Sequence, residues 1–187
     1  MKQKTILLAA ERLFMANGYS GTTMDAVALE AGFTKQTVYR YYPSKVSLFS
    51  ALISHFDEDE MEFFFAEEGA LRDELRRYGV AFLSRHMQPR HLALFRLMLS
   101  ESRDSGELGD LFRSHAQPFW LGKLTDFLSH HLSGQDARPY AHMFNAMLLA
   151  ERTPILMRRG HEMTAEQIRA HVDFTLALFL NGLPVKR

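Results

Sequence analysis

TTMDAVALEAGFTKQTVYRYYPSK, Thr22 to Lys45, decides the fold of this 187-residue chain. The stretch predicts two short helices around a tight turn. Thr23 is a candidate N-cap, and Met24, Val27, Ala28 and Ala31 follow at helical spacing. Gly32 supplies the left-handed conformation that closes a helix, and Phe33 follows it as an apolar plug. Thr34 is a second N-cap, opening Lys35, Gln36, Thr37, Val38, Tyr39, Arg40 and Tyr41. Pro43 disfavours helical geometry at Tyr42, and Ser44 can cap the helix that comes next. Two helices joined by a short turn containing Gly form a helix-turn-helix. Val38 and Tyr42, four apart, are expected to face inward against the first helix. The remaining face then carries Lys35, Gln36, Thr37, Tyr39, Arg40 and Tyr41, whose amide, hydroxyl and cationic groups suit base edges and phosphate oxygens.

Ahead of this pair a helix is expected from about Lys4 to Ala16, with Ile6, Ala9, Ala10, Leu13 and Phe14 as its apolar stripe and Asn17-Gly18 as its stop. The whole stretch ILLAAERLFMANGYSGTTMDAVALEAGFTKQTVYRYYPSKVSLFSALI, Ile6 to Ile53, closely resembles the DNA-binding domain of the tetracycline-repressor-like (TetR) family. The matching signature is Ala9-Ala10, Leu13-Phe14, Gly18-Tyr19, Thr22-Thr23, Val27-Ala28, Ala31-Gly32, Thr37, Tyr39 and Ser44-Lys45. Three positions depart from it. Gln36 stands where the family often has a small residue, which bears on which operator is read. Tyr42 stands where Phe is common, and Val46-Ser47 replaces the Glu that usually assists the cap after Lys45. That cap is expected to be weaker.

The resemblance implies a homodimeric regulator whose subunits each place the helix from Thr34 to Tyr42 in the major groove at one half of a palindromic operator. It further implies a small-molecule effector, and a dimer interface of four helices built from the last two helices of each chain. Lys35, Gln36 and Thr37 are assigned to bases or nearby phosphates, and Tyr39 to a base methyl or phosphate. Arg40 lies on the same face. Tyr41 and Lys45 are assigned to phosphate, with Thr23 and Thr34 at the two helix starts. The expected division is a helix-turn-helix domain over residues 1–48 and a helical effector-binding and dimerisation domain over 49–187.

Composition agrees with a soluble globular protein, with 47% hydrophobic and 24% charged residues. No cysteine is present, which excludes disulfides, thiolate metal sites and a cysteine nucleophile. The start, MKQKTILLAAERLF, has no apolar core of signal-peptide length, and no apolar run approaches the ~18–20 residues that cross a bilayer. A cytoplasmic protein with no membrane partner is the expectation. Formal net charge is zero, yet Lys2, Lys4, Arg12, Lys35, Arg40 and Lys45 outnumber Glu11, Asp25 and Glu30 by three within the first fifty residues. The remainder carries the matching acidic excess. A basic end on an acidic body fits DNA docking through one end, with two copies acting together.

The rest reads as all-α. A long helix is expected from Ser44 to about Glu67, joining the two domains as a stiff lever without a Pro or Gly linker. Five more helices are expected near 69–87, 90–101, 106–132, 136–159 and 165–182, with Thr164 and Gln167 forming a capping box for the last. Pro118 and Pro154 fall inside helical patterns and are expected to kink or interrupt them. The final helix is apolar nearly all round, so the chain's own core and a second subunit are expected to cover its two sides. Phe144, Leu148, Ile155, Phe174 and Leu178 are the candidate dimer contacts.

Nine histidines invite a metal reading, but none stands in an HxxxH or HExxH pattern, and no cofactor is implied. No phosphate-cradling Gly loop or GxSxG elbow occurs, so no catalytic residue is assigned and the chain is not expected to be an enzyme. A ligand pocket within the helical body is the better expectation. Its candidates are Phe65, Phe82, His86, Met98, His115, Phe119, Trp120 and Met147, centred on the expected kink at Pro118. Repression relieved by a small apolar or amphipathic ligand is the leading expectation. An architectural DNA-binding protein of the same fold, without effector, is the alternative.

Overall fold

A computed structural model describes residues 1–58, 63–101, 118–132, 134–157 and 160–183. Among the described residues every regular element is a helix. The chain forms two compact units, one of Met1–Met61 with Ala93–Ala116, the other of Glu62–Leu92 with Gln117–Arg187.

The first unit contains α1 (Lys2–Asn17), α2 (Met24–Ala31), α3 (Lys35–Tyr41) and α4 (Lys45–Glu58). It also takes the C-terminal part of α6 (Pro89–Glu101), from Ala93 onward. α1 packs on α2 and α4, and α2 on α3. Ile6, Ala9, Ala10 and Phe14 of the expected α1 stripe are wholly buried and Leu13 is half-buried, and Val27, Val38 and Leu48 are wholly buried on the helices around it. Phe14 and Tyr19 each meet Phe49 edge-on, at 5.1 and 5.3 Å between ring centres. Burying one such ring contributes roughly 2–3 kcal/mol. Phe49, Leu52 and Ile53 belong to this core although they follow residue 48.

The α4 cap corrects an expectation. Ser47 Oγ accepts from the Ser44 N–H at 3.0 Å, while Ser44 Oγ accepts from the Ser47 N–H at 3.0 Å. This is the reciprocal arrangement of a capping box, with a short hydroxyl doing what Glu would do. The cap is therefore complete.

The second unit contains α5 (Leu71–His86), the start of α6, α7 (Pro118–Ser129), α8 (Arg138–Leu148), α9 (Arg152–Leu156) and α10 (Ala165–Asn181). α5 packs on α8 and α10, α10 on α8, and α7 on α8. Gly79 permits the close approach of α5 and α10, since a Cβ there would come within 2.9 Å of Val172 Cγ1. Arg76 on α5 forks onto Asp173 on α10, at 2.5 and 3.0 Å. Thr164 and Gln167 form the expected capping box of α10.

Two helix extents differ from expectation. The long helix does not reach Glu67: Phe63–Ala66 has no helical structure, and Glu67 and Glu68 form a turn. Phe63 and Phe65 face the core while Phe64 between them is exposed, the alternation of an extended chain. Arg77 donates to the Phe64 carbonyl, and Glu74 accepts from the Ala66 N–H at 2.9 Å. These side chains from α5 replace the helical ladder. The helix expected over 136–159 breaks at Leu149–Glu151, because Pro154 has no N–H and its ring would strike the Ala150 carbonyl of a continuous helix. The described part of α7 begins at Pro118, and what precedes it lies outside the described residues, so the kink expected at Pro118 is not described. The earlier part of the helix expected over 106–132 lies outside the described residues, as does His115.

Candidate nucleic-acid interface

Local chemistry sets the α2–α3 pair. Thr23 Oγ1 accepts from the Ala26 N–H at 3.1 Å, and Thr34 Oγ1 accepts from the Thr37 N–H at 3.2 Å. Gly32, at φ 71°, closes α2 with N–H bonds to the Ala28 and Leu29 carbonyls, and Phe33 N–H returns to the Ala28 carbonyl at 3.0 Å. This Schellman-type turn fixes the direction in which α3 leaves. Val38 is wholly buried and Tyr42 nearly so, which locks α3 in the expected rotation.

The opposite face presents Lys35, Gln36, Tyr39 and Arg40 to solvent, with Thr37 and Tyr41 half-buried at its margins. Thr23 and Thr34 are exposed at the two helix starts. Lys35 Nζ pairs with Asp25 on α2 at 2.8 Å and lies 5.8 Å from the Tyr39 ring centre. Its hydrogen bond to Asp25 raises the ammonium above its usual range. The Arg40 guanidinium lies 5.3 Å over Tyr41.

Lys45 is placed differently from the other candidates. It is half-buried, and its Nζ donates to the Tyr19 and Thr22 carbonyls at 2.8 and 2.9 Å. The Tyr19 ring lies 4.4 Å from it. Thr22 Oγ1 donates to the Gly18 carbonyl at 2.8 Å. Lys45 thus binds the α1–α2 loop to the start of α4, a role that sequence spacing does not reveal.

The candidate pocket residues divide between the units. Met98 packs in the core of the first unit and is not among the aromatics of the second. Phe82 and Trp120 are buried in the second core and meet edge-on at 5.7 Å. His86 lies tilted against Phe82 with ring centres 4.1 Å apart and donates from Nδ1 to the Phe82 carbonyl at 2.7 Å. Burial pushes its pKa down to about 3. The side chain of Phe119 lies outside the described residues. Phe65 lines a groove of about 440 Å³ together with Phe63, Phe64, Lys123, Phe127 and His131. Met147 lines a different groove, of about 380 Å³, with Tyr140, Met143 and Leu178. Phe65 and Met147 therefore line separate grooves of the second unit.

The dimer candidates divide too. Phe144, Leu148 and Ile155 are buried in the chain's own core and offer no surface to a second copy. Phe174 and Leu178 are 66% and 51% exposed, and Met143 on α8 is 57% exposed beside them. One buried polar residue that the sequence reading does not single out is Asn145, whose position at core spacing between Ala141 and Leu148 is the available signal.

Comparison with known proteins agrees with this architecture. Residues 6–52 match the family described as bacterial regulatory proteins, tetR family. Residues 73–182 match the AefR-like transcriptional repressor, C-terminal domain. The HTH-type transcriptional regulator Rv1556 of Mycobacterium tuberculosis is 32% identical over 113 residues, 60% of this chain. The match spans about half, 54%, of that relative's own length. The solved flavonoid-responsive regulator FrrA superposes with a TM-score of 0.81 at 27% identity, over 98% of this chain and 97% of its own. A TetR transcriptional regulator from Agrobacterium tumefaciens gives a TM-score of 0.79 at 22% identity, over 99% and 95% of the two chains.

Proposed function

We propose, from the premise that this chain belongs to the TetR family of bacterial regulatory proteins, that it is a cytoplasmic, homodimeric repressor released from its operator by a small molecule. The observation that carries the reading is the exposed polar face of α3, held outward by buried Val38 and Tyr42. Gln36 reads a base edge, and Thr37, Tyr39 and Arg40 contact neighbouring bases and phosphates. Lys35 reaches phosphate by leaving or sharing Asp25, and Lys45 keeps the loop beneath them in place. Thr23, Thr34 and Tyr41 add backbone contacts.

The effector site belongs to the second unit, where the groove at Phe63–Phe65 and the aromatic cluster beneath it offer an apolar lining. The description of the matching C-terminal family as a transcriptional repressor, and of FrrA as flavonoid-responsive, supports repression and an aromatic effector. Only a ligand that binds the DNA-competent and DNA-incompetent states unequally can act as a switch. Fluorescence anisotropy on DNA from upstream of the gene, at two salt concentrations and against scrambled DNA, tests the first half. Specific binding at two subunits per site is the expected result. Equal binding to scrambled DNA would favour an architectural role. For the second half, a saturating ligand must lower operator affinity; a compound that binds and leaves it unchanged is not the effector.

A further inference from the structure

Asn145 lies on the core face of α8 and is only 2% exposed. Its Oδ1 accepts the Tyr78 hydroxyl at 2.8 Å. Its Nδ2 is buried and has no hydrogen-bond partner among the described residues. An amide N–H taken out of water without an acceptor destabilises the fold, and an apolar side chain of similar size would fill the same space without that cost. The residue type at this position is therefore not explained by packing. A buried orphan donor in a native structure calls for a partner that the described residues do not supply.

The surroundings describe that partner. The Tyr78 ring stacks on Phe65 with centres 5.6 Å apart and planes at 14°, and meets Trp120 edge-on at 5.5 Å. Phe65 in turn stacks on Phe127 at 4.0 Å and 6°, in the lining of the 440 Å³ groove. One ring thus touches both the groove and the residue that holds Asn145. That ring belongs to the Phe63–Ala66 segment, which has no helical ladder and is tied to α5 by side chains instead. Aromatic faces favour a planar aromatic guest. A neutral amide donor held beside Tyr78 favours a neutral acceptor oxygen, since neither Asn145 nor Tyr78 supplies a counter-charge to an ionised carboxylate.

Granting the effector-response reading above, we infer that Asn145 is the specificity-determining contact for a planar, uncharged aromatic ligand that takes the place of Phe65 against Tyr78 and accepts a hydrogen bond from Nδ2 through a carbonyl or phenolic oxygen.

The chain has a single tryptophan, and Trp120 sits edge-on to Tyr78, so its emission reports occupancy. The test titrates full-length protein with 2-acetylnaphthalene, which carries a carbonyl acceptor, and with naphthalene, which has none. Wild type, Asn145→Leu and Tyr78→Phe are compared. In Asn145→Leu the Tyr78 hydroxyl retains the Trp120 carbonyl, 3.2 Å away, as an acceptor. The expected result is a loss of at least tenfold in 2-acetylnaphthalene affinity for Asn145→Leu, with naphthalene affinity unchanged. Tyr78→Phe keeps the preference for the acetyl compound. Circular dichroism and operator binding confirm that each variant is folded. Equal affinity of wild type and Asn145→Leu for the acetyl compound, or no binding of either probe to wild type, overturns the inference. The effector-response reading is judged separately, by whether any bound compound weakens operator binding. Should Asn145→Leu not fold, an equal preference of wild type and Tyr78→Phe for naphthalene over the acetyl compound overturns it as well.

Discussion

Lysine and glutamine side chains near the reading face do different work although both look like DNA contacts. Gln36 is exposed and free of packing duty, so Gln36→Ala is expected to leave the melting temperature unchanged and to alter which sequence is recovered by selection from random DNA. Unaltered selection would remove it from base reading. Lys45 already donates to two loop carbonyls. Lys45→Met is expected to destabilise the first unit by about 1–3 kcal/mol, because those carbonyls lose a charged donor. Thermal melting reads this as a fall of several degrees. An unshifted melt, together with a flatter salt dependence of binding, would return Lys45 to a phosphate contact.

His86 gives a pH signature. Burial holds it neutral, with its pKa at about 3 in the fold against about 6.5 when unfolded. A depressed folded pKa makes the contribution complete above about pH 6.5, because below that value the unfolded chain binds a proton that the fold refuses. Stability is then lost progressively as pH falls toward the folded value. His91, pushed down to about 4 by burial first and Arg85 second, acts in the same direction. By pH 5 the loss from His86 should be on the order of 1–2 kcal/mol. His86→Gln should flatten the decline of melting temperature between pH 7 and 5. An unchanged slope would place His86 in contact with water.

Secondary elements show where sequence reading succeeds. Thr23, Thr34 and Thr164 cap α2, α3 and α10 as expected, because a cap is decided within four residues. The helix-turn-helix was legible for the same reason: caps, Gly32 and the inward pair Val38 and Tyr42 all lie within one short stretch. The Ser44–Ser47 cap was local as well, but it was discounted because Ser does not match the usual acidic residue. Ser47→Ala should lower stability by about 1 kcal/mol, read by urea denaturation with an unchanged slope. No change would mean that water replaces the hydroxyl. The end of α4 was not legible. Three consecutive phenylalanines fit a helix or an extended chain, and only contacts to Arg77 and Glu74, about ten residues downstream, decide between them. The inward turn of three dimer candidates was not legible for a related reason. Apolar spacing finds the stripe of α8, but which residues of the stripe meet α5, α7 and α10 is set by tertiary packing, and Phe144 and Leu148 go inward.

At the scale of the whole molecule, an apolar surface on α10 is still open among the described residues. Ile168, Val172, Leu176 and Phe179 bury one side of α10 in its own unit. The other side shows Phe174 and Leu178, one turn apart, next to Met143 and the groove that Met147 lines. Exposing large apolar groups in one patch is costly in water, and a two-fold axis lets each copy cover the other's patch. Dimerisation also answers the modest charge of the reading end. A positive excess of three charges in the first fifty residues supports few phosphate contacts, whereas two heads on one duplex double them. Replacing Phe174 and Leu178 together by Glu should therefore yield a folded monomer by sedimentation, since neither side chain supports the monomer core. Operator affinity should fall by roughly a hundredfold or more, because the second half-site no longer binds as part of the same particle. The monomer should keep its Trp120 emission and its ligand affinity, as neither Phe174 nor Leu178 belongs to the buried cluster that holds Trp120. A double variant that still sediments as a dimer would move the interface elsewhere and leave this face without an occupant.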